Sequence, residues 1–63
     1  MWDYNVWHVD GLDLWTDDLA TARQWAAEHL ASEGQVATIT RYPMRETEDG
    51  WETDTLAGGE VVA

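Results

Sequence analysis

From Trp2 to Val9 the chain reads WDYNVWHV, a run rich in aromatic and β-branched side chains that predicts a β-strand. Asp10-Gly11 follows at once, a strong signal for a two-residue hairpin, and LDLW at positions 12–15 can fold back against the strand. A type I′ turn would place Val9 opposite Leu12, His8 opposite Asp13, Trp7 opposite Leu14 and Val6 opposite Trp15. One face of that hairpin would then carry Trp7, Val9, Leu12 and Leu14. The other would carry Trp2, Tyr4, Val6 and Trp15, together with His8 and Asp13. Both faces are rich in apolar groups, and a single helix can cover only one of them.

After Leu14 the period lengthens. Thr16 reads as an N-cap, with Asp17 and Asp18 suited to the positive end of a helix dipole, and the pattern runs to Glu33 with Gly34 as the residue that ends it. Leu19, Ala22, Ala26 and Leu30 form one stripe flanked by Trp25 and His29, a small-residue seam that lets a helix lie close on a sheet. Gln35–Tyr42, QVATITRY, alternates as a strand should, and Pro43 is expected to end or bulge it.

A second Asp-Gly pair, Asp49-Gly50, predicts another hairpin, Met44–Glu48 returning as Trp51–Leu56. The expected register sets Glu48 against Trp51, Thr47 against Glu52, Glu46 against Thr53 and Arg45 against Asp54. Glu46 and Glu48 would share one face, with Glu52 and Asp54 on the other. Both faces are polar, which describes an arm and not core. Beyond Leu56, Gly58-Gly59 precedes two valines, and residues 58–63 read as a tail or a short edge strand.

These elements predict one α+β domain over residues 1–57. The expected architecture is a mostly antiparallel sheet with one helix packed on one face, in the order ββαββ, or βαββ where the first hairpin does not close. At 63 residues such a domain sits near the lower size limit for a self-sufficient core. With no cysteine, neither disulfides nor thiolate–metal bonds supplement it.

Charge changes the picture more than length does. Thirteen acidic residues face three arginines and no lysine, a net charge of -10. That balance repels nucleic acid and anionic membranes and draws basic partners over long range. No charged leader with an apolar core and no apolar run of bilayer-spanning length is present, so a cytoplasmic protein is expected. Acidity also serves solubility or salt tolerance alone, which leaves a self-associating structural protein as the alternative. The five tryptophans are harder to account for in a core this small.

Candidate chemistry is sparse. Neither ETEDGWETD nor DGLDLWTDD has the ligand order of a calcium loop. His8, His29 and Asp13 could in principle hold a transition metal, yet their spacing matches no metal-binding signature. His29 near a helix C-terminus and His8 beside a carboxylate each have simpler roles. Ser32, in the last turn of the helix, lacks an adjacent base, and a chain this short is not expected to build a cleft of roughly 300 Å³. No metal, cofactor or enzymatic activity is expected.

What remains is a binding surface. Trp2, Tyr4, Trp15 and Trp51 are the aromatic candidates, and Glu46, Glu48, Asp49, Glu52 and Asp54 the acidic ones. Alternate strand residues are spaced by roughly 6.7 Å, close to the phosphate repeat of one nucleic-acid strand. In composition, and in composition only, the chain is similar to small acidic DNA-mimic proteins, several of them from phages. The expected function is therefore a non-catalytic protein-binding module, an inhibitor or regulator of a basic, nucleic-acid-handling protein, with a homodimer as the competing assembly.

Overall fold

The first strand lies inside the sheet. In the computed structural model, which describes residues 1–62, β1 (Trp2–His8) pairs with β2 (Leu12–Thr16) on one side and with β3 (Thr38–Thr47) on the other, both antiparallel. Helix α1 (Leu19–Glu33) carries the chain from β2 to β3. After β3 come β4 (Gly50–Thr53), a 3₁₀ turn over Thr55–Ala57 and β5 (Glu60–Val62). The fold is a small α+β domain in the order ββαβββ. The expected ββαββ is corrected by its last member, for Glu60–Val62 is an edge strand on β3; Ala63 lies outside the described residues.

β4 and β5 follow one another along the same edge of β3. Met44 donates its N–H to the Met1 carbonyl on the β1 side, while the Pro43 carbonyl accepts from the Asp54 N–H on the other. Successive C=O and N–H groups of a strand point to opposite sides, so Asp54 and both late strands lie away from β1. This also explains why Pro43 neither ends nor bulges β3. Its missing N–H faces that far edge, so no bond to β1 is lost and pairing with β1 runs through it. Gly59 lets the chain return to β3. A Cβ there would lie 2.4 Å from the Thr40 Cγ2 and 2.8 Å from the Tyr42 ring, so only glycine can pass.

The first hairpin is offset by one residue from the expected register. His8 pairs with Leu12, Trp7 with Asp13, Val6 with Leu14, Asn5 with Trp15 and Tyr4 with Thr16. A type I′ turn needs positive φ at both central residues. Gly11 has φ 119°, but Asp10, like every other described non-glycine residue, does not. The loop therefore takes three residues, Val9–Gly11, closed by the Gly11 N–H on the His8 carbonyl at 3.1 Å. One residue of slip turns all of β2 over.

The second hairpin slips by two, which exchanges partners but keeps the faces. Gly50 has φ 121°, Asp49 stays out of the left-handed region, and Glu46 pairs with Trp51 and Arg45 with Glu52. The expected Arg45–Asp54 pair is replaced by Arg45–Glu52. Asp54 instead accepts from the Ala57 N–H at 3.2 Å and caps the 3₁₀ turn.

The helix starts later than expected. Asp18 is its N-cap, accepting from the Ala20 N–H at 3.3 Å and the Thr21 hydroxyl at 2.7 Å, whereas Thr16 is the last residue of β2. Gly34, at φ 69°, ends the helix with its N–H on the Leu30 carbonyl. α1 packs against β1, β2 and β3. Ala22 is its one buried residue and presses against Val6 and Ile39, with Tyr4, Leu12, Trp25, Ala26, Ala37 and Val62 packed around them. Leu30, expected on this stripe, is half exposed. The helix covers one face of the sheet, and the opposite face is left without a second layer.

Val6 is fully buried at the centre of this thin core. Removing its two methyl groups in Val6→Ala is expected to reduce stability by about 2 kcal/mol, read as a lower urea midpoint with unchanged slope. Asp18 supplies a pH signature. The Thr21 hydroxyl, with the backbone N–H groups of Ala20 and Thr21, holds its carboxyl below the ordinary value of 3.8. A depressed carboxylate stabilises the fold above its unfolded pKa and loses that contribution as pH falls through the folded one. Asn is an equally good cap that does not titrate. The melting temperature of the wild type is therefore expected to fall relative to Asp18→Asn as pH drops through and below 3.8, and a constant difference would remove this role.

Candidate protein-binding face

Pairing fixes which side chains share the uncovered face, because residues directly opposite in an antiparallel ladder point the same way. Asp13 and Trp15 come from β2, and Asp3, Asn5 and Trp7 from β1. β3 adds Thr38, Thr40, Tyr42, Met44 and Glu46, and β4 adds Trp51 and Thr53. The middle of this face is aromatic. Trp15 crosses over Asn5 to reach Tyr42, with ring centroids 5.5 Å apart at 37°, and the Trp7 indole N–H donates to the Thr40 hydroxyl at 2.9 Å. Trp51 lies further out, beside Glu46 on the arm formed by β3 and β4. Trp15 is 42% and Trp51 53% exposed, unusually high for such large apolar groups.

Polar bonds hold this surface in place. Asn5 is almost fully buried and donates from its amide to the Asp13 carboxylate at 2.7 Å and to the Leu14 carbonyl at 3.1 Å, tying β2 to β1 beneath Trp15. Thr53 donates to the Asp3 carboxylate at 2.5 Å, tying β4 to β1 across β3. The bonds to Asp13 and Asp3 each engage one carboxylate oxygen and hold that side chain in place on the face.

All three arginines lie elsewhere. Arg23 is on the helix, and Arg41 and Arg45 point to the helix side of the sheet by strand alternation. Arg41 sits 4.1 Å over the Trp2 ring and bridges to Glu60 at 3.0 Å, while Arg45 is bonded to Glu52, whose hydrogen bond and charge raise its already high pKa. The chain has no lysine, and His8 and His29 are also on the helix side. The uncovered face thus has carboxylates at Asp3, Asp13 and Glu46 and no cation among its described side chains.

The sequence candidates divide between the two faces. Trp15 and Trp51 are on the open face and exposed, whereas Trp2 and Tyr4, placed with Trp15 by the expected register, lie on the helix side and are half-buried. Trp7 and Tyr42, not singled out from the sequence, complete the aromatic pad. Their signal was present in the alternation of β1 and β3 but depended on the hairpin register. Of the acidic candidates, Glu46 shares the open face and Glu48 and Asp49 form the tip of the arm, but Glu52 is tied to Arg45 and Asp54 to its cap.

The histidines meet in a separate place. His8 and His29 have ring centroids 5.9 Å apart, and Gln35 links His29, at 3.0 Å, to the Asp10 carboxylate, at 2.7 Å. Asp13 is on the other face and does not join them. Among the described residues no group of three or more His, Cys, Asp or Glu side chains is arranged to hold a metal ion. A groove of about 390 Å³ between α1 and the β3–β5 edge, lined by Arg23, Ala26, Val36 and Val62, exceeds the cleft size expected of so short a chain; it is open, and none of the pad's rings lines it. No described helix is long and apolar enough to cross a membrane. The chain matches no family model, and no curated protein or solved structure matches it.

Ion selectivity in quenching reads this arrangement directly. Caesium, drawn to the carboxylates, is expected to quench tryptophan emission more strongly than iodide at matched ionic strength. Trp15→Phe with Trp51→Phe is expected to remove most of the caesium-accessible part. Equal quenching by both ions would contradict an acidic setting for the exposed indoles.

Proposed function

We propose that this chain is a non-catalytic protein-binding module whose uncovered sheet face docks a basic protein surface. The observation that carries this reading is the chemistry of that face: an aromatic pad at Trp7, Trp15 and Tyr42, extended by Trp51, bordered by Asp3, Asp13 and Glu46 and with no cationic side chain among the described residues. Guanidinium groups stack on indole and phenol rings and bond to carboxylates, so arginine-rich surfaces suit both parts. The fixed rings supply contact at little entropic cost, and the net charge of -10 speeds encounter.

Two copies of the chain are a poorer match. Bringing these faces together would oppose their carboxylates with no cation to separate them, on molecules that already repel at long range. Proteins that handle nucleic acids carry broad basic surfaces, and an inhibitor or regulator of such a protein is the role this chemistry favours. Imitation of phosphate spacing contributes little to it, since Glu52 and Asp54 are engaged within the chain and only Glu46, Glu48 and Asp49 remain along the arm.

A nona-arginine peptide tests the reading without a known partner. Calorimetry in about 50 mM salt is expected to show binding that weakens steeply toward about 500 mM, and no binding of a nona-glutamate peptide. Trp15→Ala, at an exposed position, is expected to weaken it about tenfold with an unchanged salt slope, whereas Glu46→Lys is expected to flatten the slope. Absence of nona-arginine binding at low salt, or full binding by Trp15→Ala, would overturn this function.

A further inference from the structure

The sheet has two edges, and they differ. Along β3 the outer edge is broken, because the 3₁₀ turn at Thr55–Ala57 separates β4 from β5. β2 forms the other edge without interruption from Leu12 to Thr16. Among the described residues no backbone group outside β1 bonds to the β2 backbone, the Asp18 N–H reaching only the Thr16 hydroxyl, and Asp13, Leu14 and Trp15 are exposed. Natural edge strands are usually blunted by lysine, proline or a bulge that discourages a further strand. β2 contains none of these. Its exposed charges are Asp13 and, just beyond its end, Asp17.

We propose that the free edge of β2 is the primary docking line, taking an extended basic segment of the partner as an additional strand. This rests on the function proposed above and names its mode of recognition. Backbone pairing along Leu12–Thr16 would supply alignment, and alternation would supply selectivity. Every second side chain of the added strand projects over the open face beside Asp13 and Trp15, where arginine or lysine meets a carboxylate and an indole. The side chains between them project beside Leu12, Leu14 and Thr16, where aliphatic or β-branched groups fit. The recognised pattern is an alternation of cationic and aliphatic residues. Charge complementarity selects this occupant over a second copy of β2, which would bring another Asp13 and Asp17 to the edge.

Backbone chemistry distinguishes strand addition from simple adhesion to the face. The probes are a peptide of alternating arginine and valine, the same residues in block order, and two forms of the alternating peptide N-methylated at every second amide, in the two complementary phases. In an added strand, alternate N–H groups point toward the sheet edge and away from it. One methylated form is expected to lose binding by about tenfold or more while the other binds like the parent. The block peptide is expected to bind more weakly, and alternate β2 amides to gain protection from hydrogen exchange. Equal binding of all four peptides without new β2 protection would overturn strand addition and leave the basic-partner function standing. Failure of the alternating peptide and of nona-arginine alike at low salt would overturn both. Protection of β2 that rises with protein concentration in the absence of peptide would assign the edge to a second copy and overturn the proposal.

Discussion

Asp10 does not enter the left-handed backbone region, and the division of aromatic side chains between the two faces of the sheet follows from that constraint. With positive φ available only at Gly11, the first loop takes three residues and pairs His8 with Leu12. Leu12 and Leu14 then turn toward the helix, and Trp15 turns away from it. A two-residue loop would have put Trp15 beside Val6 beneath α1, with Leu12 and Leu14 outside. Burying an indole in place of two leucines would not suit a helix whose close approach depends on Ala22. The turn chemistry and the small seam of the helix therefore agree.

One layer of cover leaves the domain with few buried side chains, Val6, Ala22 and Ile39 among the apolar ones. Polar ties supplement it on the open side. Asn5 bonds to β2, Trp7 to β3 and Asp3 to β4, so the strands are cross-linked where no hydrophobic layer holds them. The same bonds keep carboxylates at fixed positions around the rings. A surface that is both apolar and acidic follows from this economy of cover, and its lack of arginine follows from the odd-numbered places of Arg41 and Arg45 on β3.

Much of the fold was legible in the sequence. The alternation of WDYNVWHV and QVATITRY identified β1 and β3, both Asp-Gly pairs marked real turns, and Gly34 marked the end of the helix. Local pattern did not carry registers, because the type of an Asp-Gly turn depends on a backbone choice that its neighbours decide. Pro43 misled for a related reason. Whether a proline interrupts a strand depends on the direction in which its absent N–H would point, which only the pairing reveals. β5 was legible only as one of two alternatives, since three residues after a glycine pair carry almost no period.

The candidate face was legible in composition but not in membership. Surplus tryptophan and net charge indicated an aromatic, acidic surface, yet Trp2 and Tyr4 went to the helix side and Trp7 and Tyr42 took their place. The most direct test of the whole scheme is the set of nuclear Overhauser contacts of the Trp15 ring. Contacts to the Tyr42 ring, with none to Ala22 or Trp25 of α1, are predicted, as the observed register requires. Contacts from Trp15 to Ala22 or Trp25 would place the indole under the helix, return the first hairpin to a two-residue loop and dissolve the open aromatic face.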